Sequence, residues 1–278
     1  MRDILVHSES FKRWGAGIAY AARLARIFDA HLTGIWVCAS PTASIPALEE
    51  PELLAELLDA ALDLEREAFA SAASFVDHVL KLGQRNASWQ VAEGEVPEAL
   101  ALAGCWHDLL VVERTDRTVW GTTSAVGNLV LGADGLPCIV VPADAAMRDP
   151  ALDTVAIAWN GSTEALRAAH AALPLLRRAH RIVILRGEQH PPARLAAWRP
   201  PFDLAGYLLR HGVGTESRTI VGADEEGVGA ALLHAAGELG ADLLVMGAYG
   251  HARFREWVLG GVTRHVIEHA AIPVLLRH

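Results

Sequence analysis

Asp242-Leu-Leu-Val-Met-Gly247-Ala-Tyr-Gly250-His-Ala-Arg253-Phe-Arg-Glu-Trp-Val-Leu-Gly260-Gly261-Val-Thr263 is the stretch on which the fold turns. Leu243 to Met246 is an unbroken apolar run ending at a glycine, the pattern of a strand buried on both faces of a parallel sheet. Gly247 and Gly250 permit a tight turn with close backbone approach to a ligand, and Gly260 and Gly261 leave amide groups uncovered near the start of the next helix. A strand, a glycine-bracketed loop and a helix start are the parts of a phosphate cradle, because free N–H groups and the helix dipole both face negative oxygen.

The same pieces recur earlier in the chain. His107-Asp108-Leu109-Leu110-Val111-Val112 matches Ala241-Asp242-Leu243-Leu244-Val245-Met246, and Leu136-Pro137-Cys138-Ile139-Val140-Val141 matches Ile272-Pro273-Val274-Leu275-Leu276. The offsets are 134 and 136 residues. This is a tandem repeat, with one domain at 1–145, a second at 151–278, and a short polar link from Asp144 to Pro150. Strands are predicted near 3–7, 31–38, 87–92, 108–112 and 138–141, then 153–159, 181–186, 216–221, 242–247 and 273–276. Helices are predicted over 11–29, 46–82 and 98–103, then 163–179, 193–211, 225–239 and 255–270. Alternating strands and helices joined this way require parallel sheets with right-handed crossovers, an α/β fold.

The spacing Gly247, two residues, Gly250, nine residues, Gly260 (G-x2-G-x9-G), set between a buried strand and a following helix, resembles the nucleotide-binding signature of the universal stress protein family. The resemblance implies two tandem Rossmann-like domains, each a five-stranded parallel sheet of order 3-2-1-4-5, with a ligand crevice between the first and fourth strands. It implies ATP or AMP as the ligand, with Mg alongside ATP left open, and a cytoplasmic, nucleotide-responsive module in stress response with no turnover of its own. In the family a Ser or Thr follows the third glycine. Here Gly261 stands there, and the next hydroxyl is Thr263. Asn160 stands where the family has an Asp contacting adenine, and Gly161-Ser162 agrees with its Gly-Ser. The implied binding residues are therefore Asn160, Gly247, Gly250, Arg253, Gly260, Gly261 and Thr263, with His251 beside Arg253 to offset phosphate charge. From the residues alone, Asn160-Gly161 is a turn and Ser162 or Thr163 a helix N-cap.

In the first domain Ser8 is expected in the place of Asn160, Glu113 in that of Gly247, Asp116 in that of Gly250, and Ser124-Ala125 in that of Gly260-Gly261. Two carboxylates would face phosphate there, each opposing it by roughly 4 kcal/mol at 4 Å and an effective dielectric near 20. The nucleotide site is thus expected in the second domain only. The family also implies pairing through final strands. Ile139-Val140-Val141 and Val274-Leu275-Leu276 are apolar edge candidates, for an intramolecular pseudo-dimer or a homodimer.

Composition narrows the alternatives. In 278 residues, 52% hydrophobic with net charge −9, there is no clustered basic surface for nucleic acid and no apolar run of membrane-spanning length. Cys38, Cys105 and Cys138 lack metal or disulfide spacing and read as reduced core residues. His265 and His269 lie four apart on one helix face, but no third ligand is placed for zinc. The eight scattered Trp read as core or lobe-interface anchors, with Trp159 beside the crevice loop. No nucleophile elbow, HExxH or P-loop lysine is present. Two other classes stay open: an adenine-nucleotide α-hydrolase-like enzyme, and a structural member of the family that binds no nucleotide.

Overall fold

The computed structural model describes residues 1–38, 51–114, 136–143, 152–187, 203–220, 227–248 and 261–277. The chain divides into two compact units, Met1–Asp149 and Pro150–His278.

Unit 1 runs β1 (Asp3–His7), α1 (Ala16–Phe28), β2 (His31–Cys38), α2 (Pro51–Ala70), α3 (Ala72–Lys81), β3 (Ala87–Glu93), α4 (Val96–Gly104), β4 (Leu109–Arg114) and β5 (Cys138–Pro142). Its strands lie in the order β3-β2-β1-β4-β5, every pairing parallel. The central strands are the apolar runs of the sequence: Ile4, Leu5 and Val6 of β1 and Leu109 to Val112 of β4 are fully buried. Alanines 19, 21, 22 and 25, with Ile18 and Leu24, form the buried face of α1, and their small size lets the helix lie close on β1 and β4. Asp29 ends the helix in the left-handed region, φ 50°, a conformation Asp tolerates.

Three expectations change here. The first helix begins at Ala16 rather than 11, because Phe11 is buried edge-on against Trp36 and Gly15 is the N-cap. The long second helix is two, parted at Ser71, whose hydroxyl donates to the Ala68 carbonyl at 2.6 Å; residues 46–50 lie outside the described ones. Cys105 is exposed and Trp106 is 83% exposed, so neither is a core residue. By contrast Trp14, Phe75 and Trp89 do pack together, over Gly34 of β2, where a Cβ would lie 2.5 Å from Phe75 Cζ.

Unit 2 runs β6 (Thr154–Trp159), α5 (Thr163–Leu176), β7 (Arg181–Gly187), α6 (Leu204–Arg210), β8 (Glu216–Ile220), α7 (Val228–Glu238), β9 (Leu243–Gly247), α8 (Gly261–His269) and β10 (Val274–Arg277). Its order is β8-β7-β6-β9-β10, again parallel throughout. Counted within each unit, both orders are 3-2-1-4-5. β8 is exposed and polar, and Glu216 on it holds Arg181 of β7 through two contacts of 3.1 and 2.8 Å, which suits an outer strand.

One device occurs in both units. The Asp108 carboxylate accepts from the Arg2 and Asp3 amides, and Asp242 accepts from Thr154 at 2.9 Å. The amides of Asp108 and Asp242 in turn donate to the carbonyls of Asp3 and Thr154, both at 2.8 Å. The aspartate preceding each fourth strand thus latches the start of the first, which is why Asp-Leu-Leu-Val recurs.

Candidate functional site: the carboxyl ends of the central strands

In each unit the chain reverses direction across the sheet between its first and fourth strands, which places the crevice beyond the ends of β1 and β4 and of β6 and β9. Because Asp3 and Thr154 make the same bonds, counting along the strands sets Ser8 opposite Trp159 and Glu9 opposite Asn160. Ser8 therefore does not take the place of Asn160. Strand register decides the match, and it could not be read from residue type.

At the end of β6, Asn160 is exposed and its Oδ1 accepts from the Ser162 amide at 3.0 Å; Gly161 takes φ 78°. Ser162 is the N-cap of α5, its Oγ accepting from Ala165 N at 3.1 Å. The cap role of Ser162 is thus present, and the Asn160 amide nitrogen is left for a further partner. At the end of β9, a Cβ on Gly247 would lie 2.5 Å from Ala165 N and 2.6 Å from the Glu164 carbonyl carbon. The close backbone approach at Gly247 is made by α5. Gly261, at the start of α8, has open space where a Cβ would stand. Thr263 is buried, 4% exposed. Gly250, Arg253 and Gly260, with His251, Asp116, Ser124 and Ala125, lie outside the described residues.

Two cations absent from the sequence reading stand beside these groups. Arg186 pairs in register with Trp159, and Arg277 with Gly247, so each pair shares a sheet face. The Nε atoms of both arginines are buried and have no hydrogen-bond partner among the described residues. A buried guanidinium N–H without an acceptor is costly and asks for an anion or a bound oxygen. Glu164, in the first turn of α5, is the nearest acid to Gly247.

Unit 1 is built with the opposite charge. Glu113 occupies the place of Gly247, and its Oε2 accepts from the Gly17 amide at 2.8 Å at the start of α1, whose N-cap Gly15 offers no side chain. Gly15 and Gly17 make the notch: a Cβ at Gly15 would lie 2.1 Å from Oε2, and one at Gly17 3.0 Å from Glu113 Cβ. Burial raises the Glu113 pKa, the Gly17 N–H opposes this, and the charge of Glu9 raises it further. An internal carboxylate thus holds the helix N-terminus that an anion would otherwise use. The cleft above it, about 380 Å³, is lined by His7, Ser8, Glu9, Arg13, Trp14 and Ile18 among others. Burial pushes the His7 pKa down to about 4, so its imidazole is neutral at pH 7.

Away from the crevices, His265 and His269 stack with centroids 4.3 Å apart, and His269 Nδ1 lies 2.9 Å from the His265 carbonyl oxygen, so one ring nitrogen is turned to the backbone. No described helix is long and apolar enough to cross a membrane.

Comparison with known proteins agrees with this architecture. Residues 151–278 match the universal stress protein family, so the second unit is a domain of that family. A universal stress protein of Synechocystis sp. is 30% identical over 149 residues, and the chain spans 46% of that protein's length. A universal stress protein from Archaeoglobus fulgidus superposes with a TM-score of 0.69 at 15% identity, covering 99% of this chain and 95% of that one. A protein of unknown function from Pseudomonas aeruginosa gives 0.59 at 14%, covering 100% and 92%. At these identities the two structures speak for the fold.

Proposed function

We propose that unit 2 is an adenine-nucleotide-binding module, taking ATP or AMP at one site per chain and acting without turnover. The observation that carries this is the pair of buried guanidinium Nε atoms of Arg186 and Arg277, without a partner among the described residues, at the carboxyl ends of β7 and β10, in register with Trp159 and Gly247. They supply positive charge on the unit whose family signature keeps its glycines, whereas unit 1 places Glu113 at the corresponding point. Asn160 supplies an amide for a base edge and Gly261 an unobstructed helix start. Without the family's hydroxyl after the third glycine, affinity falls by the ~0.5–3 kcal/mol of one hydrogen bond, giving micromolar or weaker binding. No described group is placed to activate an attacking water, so hydrolysis stays at background.

Calorimetry with ATP and AMP, with and without Mg, on wild type, Gly261→Asp and Arg186→Ala tests this. One site per chain is expected, lost in Gly261→Asp and weakened in Arg186→Ala. An aspartate at a helix start favours the helix, so loss of binding there reports the ligand rather than the fold. Unchanged affinity in both variants, or two sites per chain, refutes the assignment.

A further inference from the structure

The cleft of unit 1 carries the features of a ligand site for which a nucleotide is the wrong occupant. Its volume of about 380 Å³ falls within the range of small-molecule sites. The Glu113 carboxylate fills the N-terminus of α1, and Glu9, close enough to act on it electrostatically, lines the same cleft. Arg13 also lines the cleft; it and Glu9 are both exposed, where salt screens their charges, so the half-buried Glu113 is the dominant charge of the site. His7 is half-buried on the cleft wall, and its ring has no hydrogen-bond partner among the described residues. Ser8, Ser10 and Gly15 also line the cleft, and the apolar part of its described wall is Ile18 and Trp14. Ile18 comes from α1, and Trp14 is held by its Nε1–H donating to Ser74 Oγ at 3.3 Å and by edge contacts to Phe75 and Trp89.

We propose that this cleft binds a small amphipathic primary amine, its ammonium held by Glu113 and Glu9 and its apolar body against Trp14 and Ile18. Two carboxylates in one cleft repel each other, and a cation between them relieves that repulsion while a phosphate adds to it. A bare metal ion fits less well. Among the described residues no group of three His, Cys, Asp or Glu could hold one, and a cleft of this size leaves an ion with few ligands. The neutral imidazole of His7 can accept from one ammonium N–H. The amine site is independent of the nucleotide site assigned to unit 2, since it uses no residue of that unit.

Tyramine is a suitable probe, tyrosol its uncharged isostere, and ATP the anionic control, all titrated calorimetrically into the full chain. Tyramine should bind once per chain, with tyrosol weaker by about tenfold or more, since the two differ only in the charged group. Glu113→Gln keeps an oxygen to accept from Gly17 and removes only charge, and should weaken tyramine by a similar factor. Glu9→Gln alters an exposed side chain and repeats the test without touching the α1 cap. Saturating ATP should leave the tyramine affinity unchanged. No tyramine binding at millimolar concentration, equal binding of tyrosol, indifference to both substitutions, or competition by ATP would each overturn the proposal.

Discussion

Gly247→Ala separates packing from ligand binding at the residue on which the nucleotide signature begins. The added Cβ would stand 2.5 Å from Ala165 N and 2.6 Å from the Glu164 carbonyl carbon. Both are backbone atoms at the start of α5 and cannot rotate away. Carbon contacts are relaxed at about 3.5–4.0 Å, so the helix start must withdraw by roughly 1 Å from β9, disturbing the Ser162 cap as it moves. Overpacking of this kind costs about 1–3 kcal/mol. At roughly 3–6 °C per kcal/mol for a unit of this size, a midrange cost of about 2 kcal/mol lowers the melting temperature by roughly 6–12 °C. Gly261→Ala is the internal control. Its Cβ meets nothing within 4 Å, and alanine is the better helix former by up to ~1 kcal/mol, so stability should hold or rise. Thermal and urea unfolding of both variants without ligand decides the matter. A Gly247→Ala protein as stable as wild type, or a Gly261→Ala protein destabilised as much, would refute the account of Gly247 as a helix–strand contact.

Ser162→Ala removes the acceptor for Ala165 N and should cost about 0.5–2 kcal/mol in urea unfolding; no change would mean that the cap contributes nothing. His7 is held well below its ordinary value of 6.5, at about 4, so the unfolded chain binds the extra proton between those values. Stability conferred by neutral His7 is present above pH 6.5 and is lost as pH falls toward 4, by roughly 3 kcal/mol, and His7→Gln should flatten that part of the stability profile. Glu113 is shifted the other way by burial, so its charged form costs stability once pH rises through its folded pKa. Glu113→Gln should therefore stabilise unit 1 at neutral pH and lose that advantage below the ordinary carboxylate range, as melting curves at the two pH values would show.

Both sheets were legible in the sequence because burial on two faces writes a strand as an apolar run, as Leu109 to Val112 and Leu243 to Met246 do. The repeat was legible because each run is preceded by the same aspartate. Parallel order followed from alternation, since parallel neighbours need a crossover between them. Helix boundaries were less legible: whether α1 begins at Phe11 or Ala16 depends on Trp36, a residue of another strand. At the candidate site the sequence supplied Asn160, the cap at Ser162 and the contrast of Gly247 with Glu113, all local features of residue type. Tertiary structure alone decided what those residues touch. It set Glu113 on the amide of Gly17, brought α5 against Gly247, matched Glu9 rather than Ser8 to Asn160, and left Arg186 and Arg277 with buried nitrogens that find no partner among the described residues. The physical reason is separation along the chain. Glu113 and Gly17 are 96 positions apart, and no periodicity or propensity carries information across that distance until the strands are in register.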